Sequence, residues 1–237
     1  MNIRWIKKKI KKLLQHKKIK DKYHTIYLDR KNSMNLTKNK LWEEKETKAM
    51  ERLVKKGDTV FDIGAHIGYH TLTLARLVGE NGKVYAFEPD PTNFGILLKN
   101  ISVNHYNNIV ECIPAAVSEK DGISKLYFGK GSTTTNSFTP NNKRGITVVT
   151  TTLKHFPKPN LIKIDVEGWE YPALKDYAKD LRDCWVLTEC GTDSNKKYFD
   201  IFRELYDLDF NKLNKEDLRK QYNSIPIHYH NNIIGLF

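Results

Sequence analysis

Thr59-Val60-Phe61-Asp62-Ile63-Gly64-Ala65-His66-Ile67-Gly68 begins as a short apolar run, meets an acid and opens into two glycines. Thr, Val, Phe and Ile are the residues of a buried strand, and the glycines mark a sharp turn before a helix. From Tyr69 to Val78 the apolar positions Leu72, Leu74, Ala75 and Val78 follow a helical pattern. Beyond Gly79 and Gly82, Lys83-Val84-Tyr85-Ala86-Phe87 is a second strand. Pro91 to Val103 reads as a helix with proline in its first turn, and Ile109 to Val117 as a third strand interrupted at Pro114. Strand, helix, strand, helix, strand predicts an α/β fold: a parallel sheet with helices on both faces.

Further along, Ile123–Phe128 and Ile146–Thr151 read as strands flanking 129–142, a stretch rich in Gly, Ser, Thr and Asn. That stretch is a candidate surface loop or lid. The alternation resumes with a strand at Leu161–Asp165, a helix at Trp169–Tyr177 and a strand at Cys184–Glu189. A helix at Tyr198–Leu205 and a strand at Asn232–Phe237 complete the expected order, with no internal repeat.

The 237 residues are 39% hydrophobic, 29% charged and 11% aromatic, which excludes a disordered chain and suffices for one well-cored domain or two small ones. No apolar run approaches the roughly 18 residues of a spanning helix. Cys112, Cys184 and Cys190 are odd in number and lack paired metal spacing, so neither a disulfide scaffold nor a structural zinc site is expected. The start has no apolar signal-peptide core, and a reducing, cytoplasmic location is the expectation.

The net charge of +12 is concentrated in residues 1–22, where ten basic side chains face one acid; the remaining 215 residues carry only +3. Ile3, Ile6, Ile10, Leu13 and Leu14 recur between those lysines at three- and four-residue steps, the pattern of a basic amphipathic helix. Three uses fit it: docking on its own domain or on a second subunit of a homodimer, peripheral contact with an anionic membrane, or nucleic-acid contact. A nearly neutral main body argues against nucleic acid as the partner. The expected division is therefore residues 1–40 as helix and polar, loosely packed lead-in, and residues 41–237 as the α/β domain.

Gly64 and Gly68 let backbone approach a ligand where a helix N-terminus offers free N–H groups, and Glu88 ends the next strand, where a carboxylate meets a ribose. His66 stands where a dinucleotide loop would place its middle glycine, and Asp62 opens the turn. An acid there suits a cationic, phosphate-free cofactor, which points to S-adenosylmethionine. Ile162-Lys163-Ile164-Asp165-Val166-Glu167-Gly168-Trp169-Glu170 places three acids just past a buried strand. Asp165 is expected to face the crevice beside the cofactor, with Glu189 next to it across the sheet. These two carboxylates act as general base and orienter, or hold a divalent ion; the residues do not choose between the two. Glu167 and Glu170 have the alternative of favouring the dipole at a helix start.

Val60–Tyr69, Ala86-Phe87-Glu88-Pro89 and Ile162–Gly168 together resemble the FkbM family of S-adenosylmethionine-dependent methyltransferases, over roughly residues 55–237. The resemblance implies a class I methyltransferase fold, Rossmann-like, with a seven-stranded sheet whose last strand is antiparallel. It implies O-methylation of hydroxyls, commonly on sugars or polyketide and glycolipid products. A sugar of a glycan or glycolipid is the expected acceptor, and a nucleic-acid methyltransferase using the basic N-terminus or a non-catalytic module are the alternatives. Onto this sequence it carries Asp62, Gly64 and Gly68 as the cofactor loop, His66 within it, Glu88 as ribose ligand, and Ala115-Ala116-Val117 at the adenine. His66 departs from the asparagine common in that loop.

Three histidine features stand apart. His66 and His70 have the i, i+4 spacing of two zinc ligands, but no third ligand accompanies them locally. His228 and His230 are candidates for the edge of an acceptor pocket, with an ordinary loop as the alternative. His155 follows the 146–152 strand, within reach of the cleft, and has no assigned role.

Overall fold

The structure is a computed structural model that describes residues 17–30, 32, 34–36, 42–128, 138, 144–190, 193–218 and 231–237. The basic helix expected at Ile3–Leu14, most of the 129–142 loop, and His228 and His230 lie outside the described residues. In chain order the elements are β1 (Lys18–Lys20), β2 (Thr25–Tyr27), α1 (Glu44–Leu53), β3 (Thr59–Ile63), α2 (Tyr69–Val78), β4 (Lys83–Phe87), α3 (Pro91–Val103) and β5 (Val110–Ile113). They continue as β6 (Ala116–Val117), β7 (Gly122–Tyr127), β8 (Gly145–Thr151), β9 (Leu161–Ile164), α4 (Glu170–Leu174), β10 (Trp185–Cys190), β11 (Glu204–Tyr206) and β12 (Asn231–Leu236).

Seven strands form the main sheet in the order β11-β12-β10-β9-β3-β4-β5. β5, β4, β3, β9 and β10 are parallel, and β12 runs antiparallel between β10 and β11, as the family resemblance implied. Alternation within each strand divides the apolar residues between two cores. Val60, Val84, Ala86, Leu161 and Leu187 face a core built with Met50, Leu72 and Leu97 from α1, α2 and α3. Phe61, Phe87, Ile162, Ile164 and Val186 face the other, with Leu174, Tyr198, Phe199 and Phe202. Burial on both faces explains why these strands are apolar nearly throughout.

Three expectations change. The third strand stops at Ile113: Pro114 brings no N–H to the ladder, and Ala116–Val117 pairs instead with β8 in a separate three-stranded sheet. The helix expected over 169–177 spans only Glu170–Leu174. The segment expected as a helix at 198–205 is a 3-10 helix, Asp193–Ile201, followed by β11, because Phe202 and Leu205 are drawn into the core beside β12.

The described part of the lead-in is not loosely packed. β1 and β2 form a hairpin whose outer edge is read by two asparagines of α3. Asn100 accepts from the Tyr27 N–H (2.7 Å) and donates to its carbonyl (3.0 Å), and Asn104 does the same at Thr25 (2.9 and 2.8 Å). Ile26 and Leu28 thereby enter the core. Among the described residues no helix is long and apolar enough to cross a membrane.

Candidate functional site

The carboxyl ends of β5, β4, β3, β9 and β10 line one edge of the sheet, and a cavity of about 290 Å³ opens there. Its middle is the turn after β3. Gly64 has φ +83°, and a Cβ on it would stand 2.0 Å from the Asp165 carbonyl oxygen, so only glycine lets the ends of β3 and β9 meet. The Gly64 and Ala65 N–H groups both donate to the Phe87 carbonyl (3.0 and 2.9 Å), which ties the turn to β4. His66, at φ +52°, donates its backbone N–H to Glu88 Oε2 at 2.8 Å. Gly68, at φ +89°, hands the chain into α2.

Glu88 is buried, with Oε1 accepting from the Asp90 N–H at 2.8 Å. Burial pushes its carboxyl up to about 7, although the Asp90 and His66 N–H groups pull the other way. Asp90 caps α3 by accepting from Thr92 N–H at 2.7 Å, which holds the chain after β4 in place. Beyond Glu88 the cavity wall is the small-residue strip Ala115-Ala116-Val117. Burial also lowers His66 to about 4, so its ring is neutral near pH 7.

Asp62 is fully buried; Oδ2 accepts from the Thr71 hydroxyl at 2.5 Å, while Oδ1 has no hydrogen-bond partner within the protein. Register sets Lys163 of β9 directly beside it. Burial disfavours the Lys163 ammonium, but Asp165 (3.3 Å from Nζ), Asp62 and Glu43 outweigh that and raise its pKa. Lys163 is a site residue that the sequence reading passed over, although alternation from Leu161 puts it on the face of Asp62. Glu43 is likewise new, and His70, noted from the sequence only for its zinc-ligand spacing, meets it: both line the cavity, and His70 Nε2 lies 2.7 Å from Glu43 Oε2.

At the β9–β10 end, carboxylate oxygens of Asp165, Glu167 and Glu189 lie within 4.8 Å of one another. This is the group among the described residues with the spacing of a cation site; His66 and His70 do not form one. Burial pushes Glu189 up to about 9, reinforced by Asp165, Glu167, Glu170 and Glu43. Burial and then Asp165 raise Glu167 to about 7. Glu170 stands in the first turn of α4, as the helix-start alternative has it, whereas Glu167 lies before the helix. Glu167 precedes α4 at φ +54°, and Glu170 Oε1 accepts from the Val166 and Gly168 N–H groups (both 3.2 Å), which shapes the turn. Phe138 lines the cavity and packs on Trp169 at 5.2 Å between ring centroids. His155 instead pairs with exposed Asp121 at 2.7 Å and is not part of the cavity wall.

Solved structures share this architecture. A putative rRNA methylase from Clostridium thermocellum superposes with a TM-score of 0.51 at 15% identity, covering 84% of this chain and 97% of that one. An S-adenosylmethionine-dependent O-methyltransferase from Thermotoga maritima does so at 0.51 and 14%, covering 89% and 71%. The fold is that of the class I methyltransferases. The methyltransferase FkbM domain matches residues 62–212, and the chain belongs to this family of S-adenosylmethionine-dependent methyltransferases.

Two curated relatives narrow the neighbourhood. The 31-O-demethyl-FK506 methyltransferase FkbM of Streptomyces tacrolimicus is 36% identical over 89 residues, 37% of this chain and 32% of that protein. The hexuronic acid methyltransferase AglP of Haloferax volcanii is 25% identical over 178 residues, 69% of each chain. The chain thus spans about a third of the first relative's length and about two thirds of the second's.

Proposed function

We propose that this chain methylates a hydroxyl group of a sugar, in a glycan or glycolipid acceptor. The observation that carries this reading is the pairing of Asp165 with Glu189 in the same cavity as the glycine turn and Glu88. An acidic pocket beside a cofactor cleft suits proton removal from a poorly acidic hydroxyl. The hexuronic acid methyltransferase among the relatives supports a sugar as the acceptor class.

The residues fit S-adenosylmethionine. Asp62 Oδ1 is a buried acceptor without a protein partner, suited to the cofactor's ammonium, and Glu88 stands where a ribose diol can be accepted. Gly64 and His66 supply the part of the turn that lines the cavity, Gly68 instead packs against Leu97 of α3, and Ala116 with its neighbours supplies a flat, small-residue wall for adenine. When bound, the cofactor supplies an electrophilic methyl group on a sulfonium. Asp165, positioned by Lys163, accepts the acceptor's hydroxyl proton as the oxygen attacks. Glu189, protonated at neutral pH, donates a hydrogen bond that keeps the acceptor oriented. The three-acid group also has the spacing to take a divalent cation, which would polarise the same oxygen.

The test is methyl transfer from labelled S-adenosylmethionine to uronic-acid oligosaccharides, with tRNA as the competing acceptor and with EDTA in a parallel arm. Label on the oligosaccharide, unaffected by EDTA, supports the proposal with Asp165 as base. Loss in EDTA with recovery in Mg²⁺ assigns the acids to a cation. Label on tRNA alone would overturn the sugar reading.

A further inference from the structure

Order along the sheet edge divides the cavity. Ala116 and Glu88 close its β5–β4 side, whereas Asp62, Lys163, Asp165 and Glu189 close its β3–β9–β10 side. A nucleoside on the first side leaves the cofactor's amino-acid end on the second. That end carries an ammonium with three N–H donors, and Asp62 Oδ1 alone cannot satisfy them. The remaining acceptor comes from a segment that the sequence reading left outside the site.

Glu43 is the residue just before α1, and it sits in the left-handed region (φ 46°, ψ 62°), which costs energy for a residue with a Cβ. Two consecutive residues of α2 hold it there. The Trp42 N–H donates to the Tyr69 hydroxyl at 3.0 Å, and buried His70 grips Glu43 Oε2 at 2.7 Å. The other end of the segment is anchored by Glu46, which accepts from Asn232 of β12. The result is a carboxylate fixed on the cavity wall, near enough to Lys163 and Glu189 to act on both electrostatically.

We infer that Glu43, held by His70, is a binding residue for the α-ammonium of the cofactor, and that His70 is its positioning residue. This rests on the cofactor reading above and extends it to a part of the chain before β3. Burial works against the Glu43 carboxylate, but the hydrogen bond and charge of His70 prevail and hold its pKa below the ordinary value, so the group is ionised where a cation is to be bound. Asp62 and Asp165 add their charge to that of Glu43 on this wall, against the single ammonium of Lys163 that lies among them. A positively charged ligand group relieves that excess.

The experiment compares two ligands that differ only at the amino-acid end, S-adenosylhomocysteine and 5′-methylthioadenosine, by calorimetric titration of the full chain. Glu43→Gln keeps size and shape and should weaken S-adenosylhomocysteine by roughly ten- to a hundredfold, the range of a charge-assisted hydrogen bond, while 5′-methylthioadenosine changes by less than about twofold. His70→Phe should give the same selective loss, and His70→Gln, which replaces the ring Nε2 with an amide N–H, should recover part of it. Thermal melts identify any variant that has lost its fold. Equal loss for both ligands in a folded Glu43→Gln protein, or no loss for either, would overturn the inference alone. A wild-type chain that binds neither ligand would overturn the cofactor reading and this inference with it.

Discussion

The two sides of the cavity are built on opposite principles. On the β4–β5 side the site carboxylate is satisfied by backbone: Glu88 accepts two backbone N–H groups, and the turn that meets it at Gly64 is bonded to Phe87. On the β9–β10 side, Asp165, Glu167 and Glu189 crowd within 4.8 Å, with Lys163 the cation paired beside them. The first side is preorganised by covalent geometry and hydrogen bonds, so it can hold a rigid nucleoside without rearranging. The second holds unresolved electrostatic tension, which keeps protons at neutral pH and suits a step in which a proton moves. Binding and chemistry are therefore expected to separate spatially along one sheet edge.

The sharpest attempt to break that separation is Asp165→Asn. Turnover should fall by about 10²–10⁴-fold while S-adenosylhomocysteine affinity stays within a few-fold. Full turnover with intact binding would remove Asp165 from the chemistry. Next comes Gly64→Ala, which forces a Cβ against the Asp165 carbonyl at a positive φ; denaturant unfolding should show a loss of about 3 kcal/mol or more. A variant as stable as the wild type would mean that the ends of β3 and β9 are not apposed. Glu88→Gln probes the binding side, with an expected ten- to hundredfold loss of affinity for S-adenosylhomocysteine by titration. If it abolished turnover while leaving binding unchanged, the two sides would have been assigned in reverse.

The pH dependence of stability is smaller and concerns the acidic side. Glu189 is raised by burial and by Asp165, so between the unfolded value near 4.5 and about 9 the folded state holds a proton that the unfolded state has lost. Its contribution is thus present below pH 4.5 and declines as pH rises, by roughly 1 kcal/mol per unit within that window. Unfolding curves at pH 5.5, 6.5 and 7.5 should show the decline, and Glu189→Gln should flatten it; an unchanged slope would dissociate Glu189 from the effect. Last, His155→Ala should leave both binding and turnover unaffected, since His155 pairs with exposed Asp121 away from the cavity.

Much of the fold was legible because it repeats local rules. Val60 and Phe61 commit adjacent residues to opposite faces, and the same alternation in β4 and β9 leaves little choice but a doubly covered sheet. The 198–205 segment was misread because Tyr198, Phe199, Phe202 and Leu205 fit a helical stripe equally well. Which conformation buries them depends on β12, more than 25 residues on. Within the site, Asp62, Gly64, Glu88 and Asp165 stand out because each ends or follows a strand, where residue type alone shows that something besides packing is required. Lys163 was hidden inside a strand pattern, Glu43 lies in a stretch with no element assigned from the sequence, and His70 stood out only for its zinc-ligand spacing with His66.

The sequence by itself determined the alternation of strands and helices in the parallel half, the glycine turn, the acids at the strand ends and the family, since each depends on residue types a few positions apart. Only the tertiary structure decided that Asp62 meets Lys163, that Glu167 joins Glu189 and Asp165 in one group, and that His70 fixes Glu43 at the cavity wall. Those meetings join residues from 22 to 101 positions apart. Strand register and the packing of one element on another set them, and no local pattern encodes either one.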